Sequence, residues 1–405
     1  MNDDHRLELF SQSALTPGQA SRNFDPGRLT QARLRAGLTK RAVAEHLGVS
    51  PAAVGQYEAG ITKPRPDLVS KLSELFGVPL RYFLPGRPKV NLDTSMAHFR
   101  SLRKTPLHLR TKAVAHVEEL WEVVHALERR VHLPPVGLPG FASGELPSEV
   151  LPSDAIGAAK ELRARWDLGT GPIPYLVRLL ESQGIVIAFL PLNPREDACV
   201  DAFSVSHLQR PIIAMAAERT NDVHRYRFSA AHELGHLVLH GNVHPGDTQQ
   251  EREANQFAAE FLTPSASITP RLPQRVDFAA LAELQNEWGV SVKSLINRYR
   301  ELGRISGATV SRNYQRWNNL HAQGAFGNDP VQNHPSEQPI MLQRAFDIAT
   351  DHGLTMTDLA DELALPPERI RSYLCVQDNR PRLTLLSNPH HEPEPLTDKS
   401  KAVPR

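Results

Sequence analysis

The sequence predicts a multidomain protein: an all-α N-terminal domain, a larger α+β domain and a small helical C-terminal module. Three observations carry this. Stretches rich in proline, glycine and polar residues at 85–93, 133–152 and 323–338 read as linkers between folded bodies. Residues 37–60 are punctuated as two helices joined by a tight turn. Residues 184–216 hold three strand-like apolar runs, and helical periodicity resumes from Ser229 to about Leu302. The expected layout is a flexible arm at 1–26, a helical domain at 27–84 and an amphipathic connecting helix within 95–132. An α+β domain at 153–322, a helical module at 339–386 and a disordered tail at 387–405 follow.

Bulk properties exclude some functions. A net charge of +1 gives no global attraction to nucleic acid or membrane. The charge is uneven, however: residues 28–84 carry nine Lys/Arg against four Asp/Glu, and residues 85–131 carry nine against five. Nucleic-acid contact is therefore expected in the N-terminal third. The start MNDDHRLELF lacks the pattern of a secretory signal, and the longest apolar run, GIVIAFLPL, is too short to span a bilayer. Cys199 and Cys375 have no metal-type spacing. Together these predict a cytoplasmic protein without membrane partners.

In GLTKRAVAEHLGVSPAAVGQYEAG (37–60), Thr39 can cap a first helix that buries Val43, Ala44 and Leu47. Gly48 supplies a left-handed turn residue, and Ser50 caps a second helix opened by Pro51. These residues, with Gly60 and Pro64 after them, resemble the phage-repressor (Xre-type) helix-turn-helix family over roughly 28–84. The resemblance implies a double-stranded DNA operator read by Ser50, Pro51, Ala52, Ala53 and Gln56. Gln56 is the one bidentate adenine reader among them. Lys40, Arg41, Lys63 and Arg65 are the phosphate-contact candidates.

In RFSAAHELGHLVLH (227–240), a four-residue step on a helix turns the chain by about 400°, so His232 and His236 leave one face one turn apart. They can share one zinc ion, with Glu233 as general base and Ser229 placed to cap the helix. The three-histidine extended motif would need Gly at 239 and His at 242; Leu239 and Asn242 exclude it. A third ligand is expected from EREANQFAAEFLTP (251–264), whose apolar face is Ala254, Phe257, Ala258, Phe261 and Leu262. Glu253 abuts that face and is the favoured ligand, with Glu251 the runner-up. Candidate oxyanion stabilisers are His224, Tyr226 and His244. His240 reads as structural or as a partner of the ligands, and Arg225 and Arg227 as partners of carboxylates. The strand at 211–216 is a candidate edge for a peptide substrate.

These motifs, with GPIPYLVRLLESQGIVIAF, VDAFS, RPIIAM and GVSVKSLINRYRELGRIS, resemble the ImmA/IrrE metallopeptidase family over about 155–320. The resemblance implies a gluzincin-like fold, one Zn²⁺ on His232, His236 and Glu253, and a repressor-type regulator as protein substrate or partner. Near the C-terminus, GLTMTDLADELALPPERIRSYL (353–374) aligns without gaps on residues 37–58 with seven identities. Its slightly acidic charge predicts packing or protein contact rather than phosphate binding. The amphipathic pattern of Val114, Val117, Leu120, Trp121, Val124 and Leu127 predicts a brace between domains or a homodimer seam. The expected function is a DNA-binding transcription regulator whose zinc metallopeptidase cleaves itself or another regulator on a signal. The alternative is a regulator whose peptidase-like fold serves as a sensor.

Overall fold

The computed structural model describes residues 15–94, 97–99, 105–139, 151–192, 200–216, 221–241, 247–327 and 329–376. Residues 1–14 of the expected arm, most of 133–152, His244 and the tail with His390 and His391 lie outside them.

The N-terminal domain is built from α1 (Pro17–Arg22), α2 (Pro26–Arg35), α3 (Lys40–Leu47), α4 (Pro51–Glu58) and α5 (Pro66–Phe76). Thr39 and Ser50 cap α3 and α4 as expected, accepting from Ala42 N and Ala53 N, and Gly48 ends α3 at φ 69°. The expected arm is corrected over 15–26. Thr16 and Gln19 form a capping box that opens α1 with Pro17 in its first turn, and Ala20 is fully buried. Ser21 Oγ further donates to Pro64 O at 2.7 Å.

Helix α6 (Leu107–Glu128) is an internal strut. Thirteen of its 22 residues are buried, so its apolar side is already covered and is not available as a dimer seam. Its polar side is buried too, through ion pairs. Glu122 receives Arg28 and Arg87, and Gln31 donates to the same carboxylate at 3.0 Å. Arg28 is fully buried and also donates to the carbonyls of Arg87 and Pro88. The 85–93 segment is therefore anchored and is not a loose linker.

Helices α15 (Met341–Asp351), α16 (Met356–Leu363) and α17 (Pro367–Tyr373) pack against α6 rather than standing apart. Thr355 caps α16 as its counterpart Thr39 caps α3, while Ala364 takes the left-handed turn at φ 50° that Gly48 takes there. The seam to the helix-turn-helix is polar. Glu119 of α6 is reached by Arg35, Arg369 and the Tyr373 hydroxyl at 3.1, 3.3 and 3.1 Å, and Arg369 also donates to Phe76 O. Burial, with Arg35, Lys112 and Arg369 nearby, pushes His116 well below the usual imidazole range. His116 is therefore neutral where it meets the Tyr373 hydroxyl.

Between these bodies lies a sheet of β1 (His98–Phe99), β2 (Val186–Leu190), β3 (Ala202–Val205) and β4 (Ile212–Ala216) in the order β1-β3-β4-β2. β3 and β4 form the expected antiparallel hairpin, and β2 joins β4 in parallel. β4 is therefore an inner strand with both edges paired, which removes it as an edge for substrate. Side-chain alternation splits the sheet. Val186, Ala188, Phe203, Val205, Ile212 and Ala214 join the core of α6 and the helix-turn-helix. Ile187, Ala202, Ile213 and Met215 join the other core.

That second core contains α7 (Ala155–Arg165), α8 (Leu176–Ser182), α9 (Val223–Leu239), α10 (Thr248–Leu262), α11 (Ser265–Ile268), α12 (Phe278–Trp288), α13 (Val292–Glu301) and α14 (Gly307–Ala322). The expected linker at 323–338 closes this body. Glu337 is buried, pairs with Arg227 and accepts from Leu176 N and Val177 N at the start of α8. Arg227 Nε also donates to Gly289 O at 2.9 Å, and Gly289 stands at φ 63°. A Cβ there would lie 2.6 Å from Arg227 Nε. Gly289→Ala is expected to cost about 1–2 kcal/mol in backbone strain and more through the displaced arginine, read as a lower denaturant midpoint. An unchanged midpoint would contradict the contact.

Candidate metal centre and DNA-reading surface

Helix α9 begins two turns earlier than expected. Asp222 is its cap, accepting from His224 N and Arg225 N at 3.1 and 3.2 Å, and Ser229 is buried mid-helix. α9 crosses α10 at a close contact: a Cβ on Gly235 would meet Ala254 Cα at 3.2 Å and the Phe257 ring at 3.1 Å. Gly235 lies between the two histidines of the motif, so this crossing brings α10 against them.

His232 and His236 are buried, with their Nε2 atoms 3.1 Å apart. The carboxylate beside them is Glu251, whose oxygens lie 3.3 Å from His236 Nε2 and 3.6 Å from His232 Nε2. These three residues form a group able to hold a metal ion. A tetrahedral ion with bonds of about 2.0–2.1 Å has ligand–ligand edges of about 3.3 Å, so the spacing and donor set fit zinc. Burial pushes His236 down to about 4, which leaves it neutral, as a ligand must be. Burial opposes ionisation of Glu251, but the hydrogen bonds to His232 and His236 outweigh it and bring the carboxyl down to about 2.

Glu253, the ligand favoured by sequence, is not beside the histidine pair. It accepts from His240 Nε2 at 2.9 Å and Gln249 Nε2 at 2.8 Å. The cause is helical rotation about the Gly235–Ala254 contact. One residue before Ala254 turns away by about 100°, whereas three residues before returns to within about 60°. His240 is buried, and its Nδ1 lies 3.1 Å from His236 Nδ1. Glu253 thus reaches the site only through His240 and His236, on the ring nitrogen turned away from Glu251.

Glu233 is fully buried and accepts a hydrogen bond from Ser204 Oγ at 2.9 Å. Sequence reasoning gave Ser204 no role, although strand alternation places it with Ala202 on the side facing α9. Ser204→Ala is expected to slow proteolysis about tenfold with zinc content unchanged, because it frees the Glu233 carboxylate to rotate. A wild-type rate would remove that positioning role.

Two of the oxyanion candidates, His224 and Tyr226, lie within the described residues on α9. His224 precedes His232 by eight residues, about 12 Å along the axis. Tyr226 is fully buried, with its ring 5.7 Å from Phe189. Arg225 pairs with Asp201 at 2.8 Å and Arg227 with Glu337, the carboxylate partnerships expected of them.

On α4, Val54 and Tyr57 face the core while Pro51, Ala52 and Gln56 are exposed and Ala53 is half-buried. Ser50 is occupied as the cap. Lys40, Arg41, Lys63 and Arg65 are exposed around this helix. Lys40 lies 3.4 Å from Glu58, Arg41 pairs with Glu45, Arg65 with Asp67, and Lys63 donates to Arg22 O. Ile61, 73% exposed in the loop after α4, was not singled out by sequence.

A capped second helix with an exposed outer face defines a helix-turn-helix domain. A buried H-E-x-x-H helix crossed by a carboxylate-bearing helix beside a small sheet defines a metallopeptidase-like domain. Comparison with known families gives the same two assignments. Residues 29–83 match the helix-turn-helix family, and residues 180–300 match the peptidase family described as the IrrE N-terminal-like domain. No curated protein matches the chain. Among the described residues no helix is long and apolar enough to cross a membrane.

Proposed function

We propose that this chain is a DNA-binding transcription regulator whose peptidase domain is a zinc metalloendopeptidase acting on itself or on a repressor-type regulator in response to a signal. The observation that carries the reading is the convergence of His232, His236 and Glu251 beside Glu233, in one chain with an exposed reading helix. His232 and His236 through Nε2 and Glu251 through its carboxylate would hold one zinc ion. Zinc bound there supplies Lewis acidity to a water molecule and to the scissile carbonyl. Glu233, oriented by Ser204, takes the proton from the attacking water at its carboxylate and passes it to the leaving amine nitrogen as the C–N bond breaks.

Gln56 is the base-reading residue of α4, with Lys40, Arg41, Lys63 and Arg65 on phosphates. Gln56→Ala is expected to weaken specific operator binding by about 1–3 kcal/mol while leaving nonspecific binding and its salt dependence in place. Equal losses on all sequences would reassign Gln56 to the backbone. The test of the whole reading is parallel mapping of DNA occupancy for wild type and Glu233→Gln, with regulator levels followed in the same cells. The reading expects shared sites and a regulator that persists only with Glu233→Gln. Identical regulator levels in both strains would favour a sensor over a protease.

A further inference from the structure

Strand β3 and the residues flanking it run beside α9 for the length of that helix. Asp201, just before β3, accepts from Arg225 Nη2 at 2.8 Å. Ser204 Oγ donates to Glu233 at 2.9 Å, and Ser206 Oγ donates to Gly241 O at 2.7 Å. Arg225 lies in the first turn of α9, and Gly241 lies two residues past its end. Glu233 is thus reached from the middle of β3. One flank of β3 is closed, because all four of its residues, Ala202–Val205, pair with β4. The opposite flank carries β1, which is two residues long and antiparallel, with His98 opposite Ser204 and Phe99 opposite Phe203.

Ser204 therefore serves two partners at once. Its backbone stands in register with His98, and its hydroxyl holds the Glu233 carboxylate. Neighbouring strands lie about 4.8 Å apart, so the β1 backbone passes one strand spacing from the residue that orients the proposed general base. An extended peptide adds to a sheet through the N–H and C=O groups along the flank of an edge strand. β3 offers such a flank beside Glu233, and a segment of this chain already holds its middle. A substrate strand and β1 cannot both pair with Phe203 and Ser204.

β1 is also tethered at both ends. Leu92 N donates to Glu118 at 2.9 Å on one side, and buried Thr105 stands just before α6 on the other. Once released, β1 stays close and re-pairs as an intramolecular ligand at high effective concentration. Its hold is short, however. A longer strand lying along β3 would also meet Ala202 and Val205, which the β1 register does not include.

We propose that β1 is an autoinhibitory strap. It occupies in cis the flank of β3 along which an extended polypeptide substrate lies, and substrate enters by displacing it. The proposal rests on the proteolytic reading for the chemistry, but strand displacement is a binding event and is read separately.

The probe is a fluorescent synthetic peptide with the sequence of residues 94–103, TSMAHFRSLR. Its binding is followed by anisotropy on zinc-loaded, full-length Glu233→Gln, with and without the pair His98→Pro and Phe99→Pro, which removes the N–H donors of β1. Cleavage of a tryptic peptide library is compared for chains with Glu233 intact, again with and without the proline pair. Zinc content and operator binding control for folding. The proline pair is expected to tighten peptide binding and to speed cleavage, each roughly tenfold, equal to about 1.4 kcal/mol. Without the prolines, saturating peptide is expected to speed hydrogen exchange at the amides of His98 and Phe99. That readout needs no substitution in β1, so unchanged exchange overturns the strap even if the proline pair does not fold. Unchanged binding and cleavage would likewise remove the strap and leave the protease reading in place. Cleavage lost while zinc is kept would make β1 a working part of the site, against the proposal. A cut within 97–99 that Glu233→Gln abolishes would make the segment a substrate and not a strap. Tighter peptide binding with no cleavage by either Glu233 chain would uphold the strap and remove the protease reading.

Discussion

Glu233→Gln is expected to keep the metal and lose proteolysis by roughly 10²–10⁴-fold, the usual contribution of a positioned proton carrier. Glutamine keeps the shape of the side chain, and its amide oxygen can still accept from Ser204 Oγ, as the carboxylate does at 2.9 Å. The group able to hold a metal ion is His232, His236 and Glu251, so the substitution would take away none of its three ligands. What is lost is the basic oxygen that accepts a proton from the attacking water. Purified protein should therefore show the wild-type zinc content, unchanged operator binding and a stable regulator on co-incubation. Processing at the wild-type rate would remove Glu233 from the chemistry. Loss of zinc along with activity would instead mean that Glu233 holds the metal directly.

Features that depend on one helix and its neighbouring residues were legible in the sequence. The H-E-x-x-H pair needs only helical periodicity, and Thr39, Gly48 and Ser50 mark the helix-turn-helix through local backbone chemistry. Strand alternation likewise predicts the β3–β4 hairpin. Features that depend on how two elements meet were not. The rotation of α10 follows from the Gly235–Ala254 contact. The burial of α6 is extended by Glu119 and Glu122, acidic residues that look solvent-facing until Arg28, Arg35, Arg87 and Arg369 arrive from other segments. The 323–338 stretch looked like a linker because its anchor, Glu337, pairs with an arginine 110 positions away. Helix α1 is a different case: Thr16 and Gln19, within the stretch expected to be a flexible arm, hold their own capping signal three residues apart around Pro17.

One consequence of the α10 rotation separates two neighbouring glutamates. Glu251→Gln is expected to abolish tight zinc retention, because among the described residues it removes the carboxylate grouped with the two Nε2 atoms, 3.3 and 3.6 Å away. The remaining histidine pair would hold the ion with two protein ligands where His₂Glu sites use three. Glu253→Gln acts at a distance. It weakens the hold on His240, whose Nδ1 meets His236 Nδ1, so it perturbs only the orientation and basicity of one ligand. Partners of that kind are worth about 10–100-fold in metal affinity. Competition against a chromophoric chelator should therefore rank wild type above Glu253→Gln and both far above Glu251→Gln. His240→Gln should resemble Glu253→Gln, and adding Glu253→Gln to His240→Gln should cost little more, since both act on the same link. If Glu253→Gln empties the site and Glu251→Gln does not, α10 turns its other face to the metal in solution, and the Gly235–Ala254 crossing must differ from the one described.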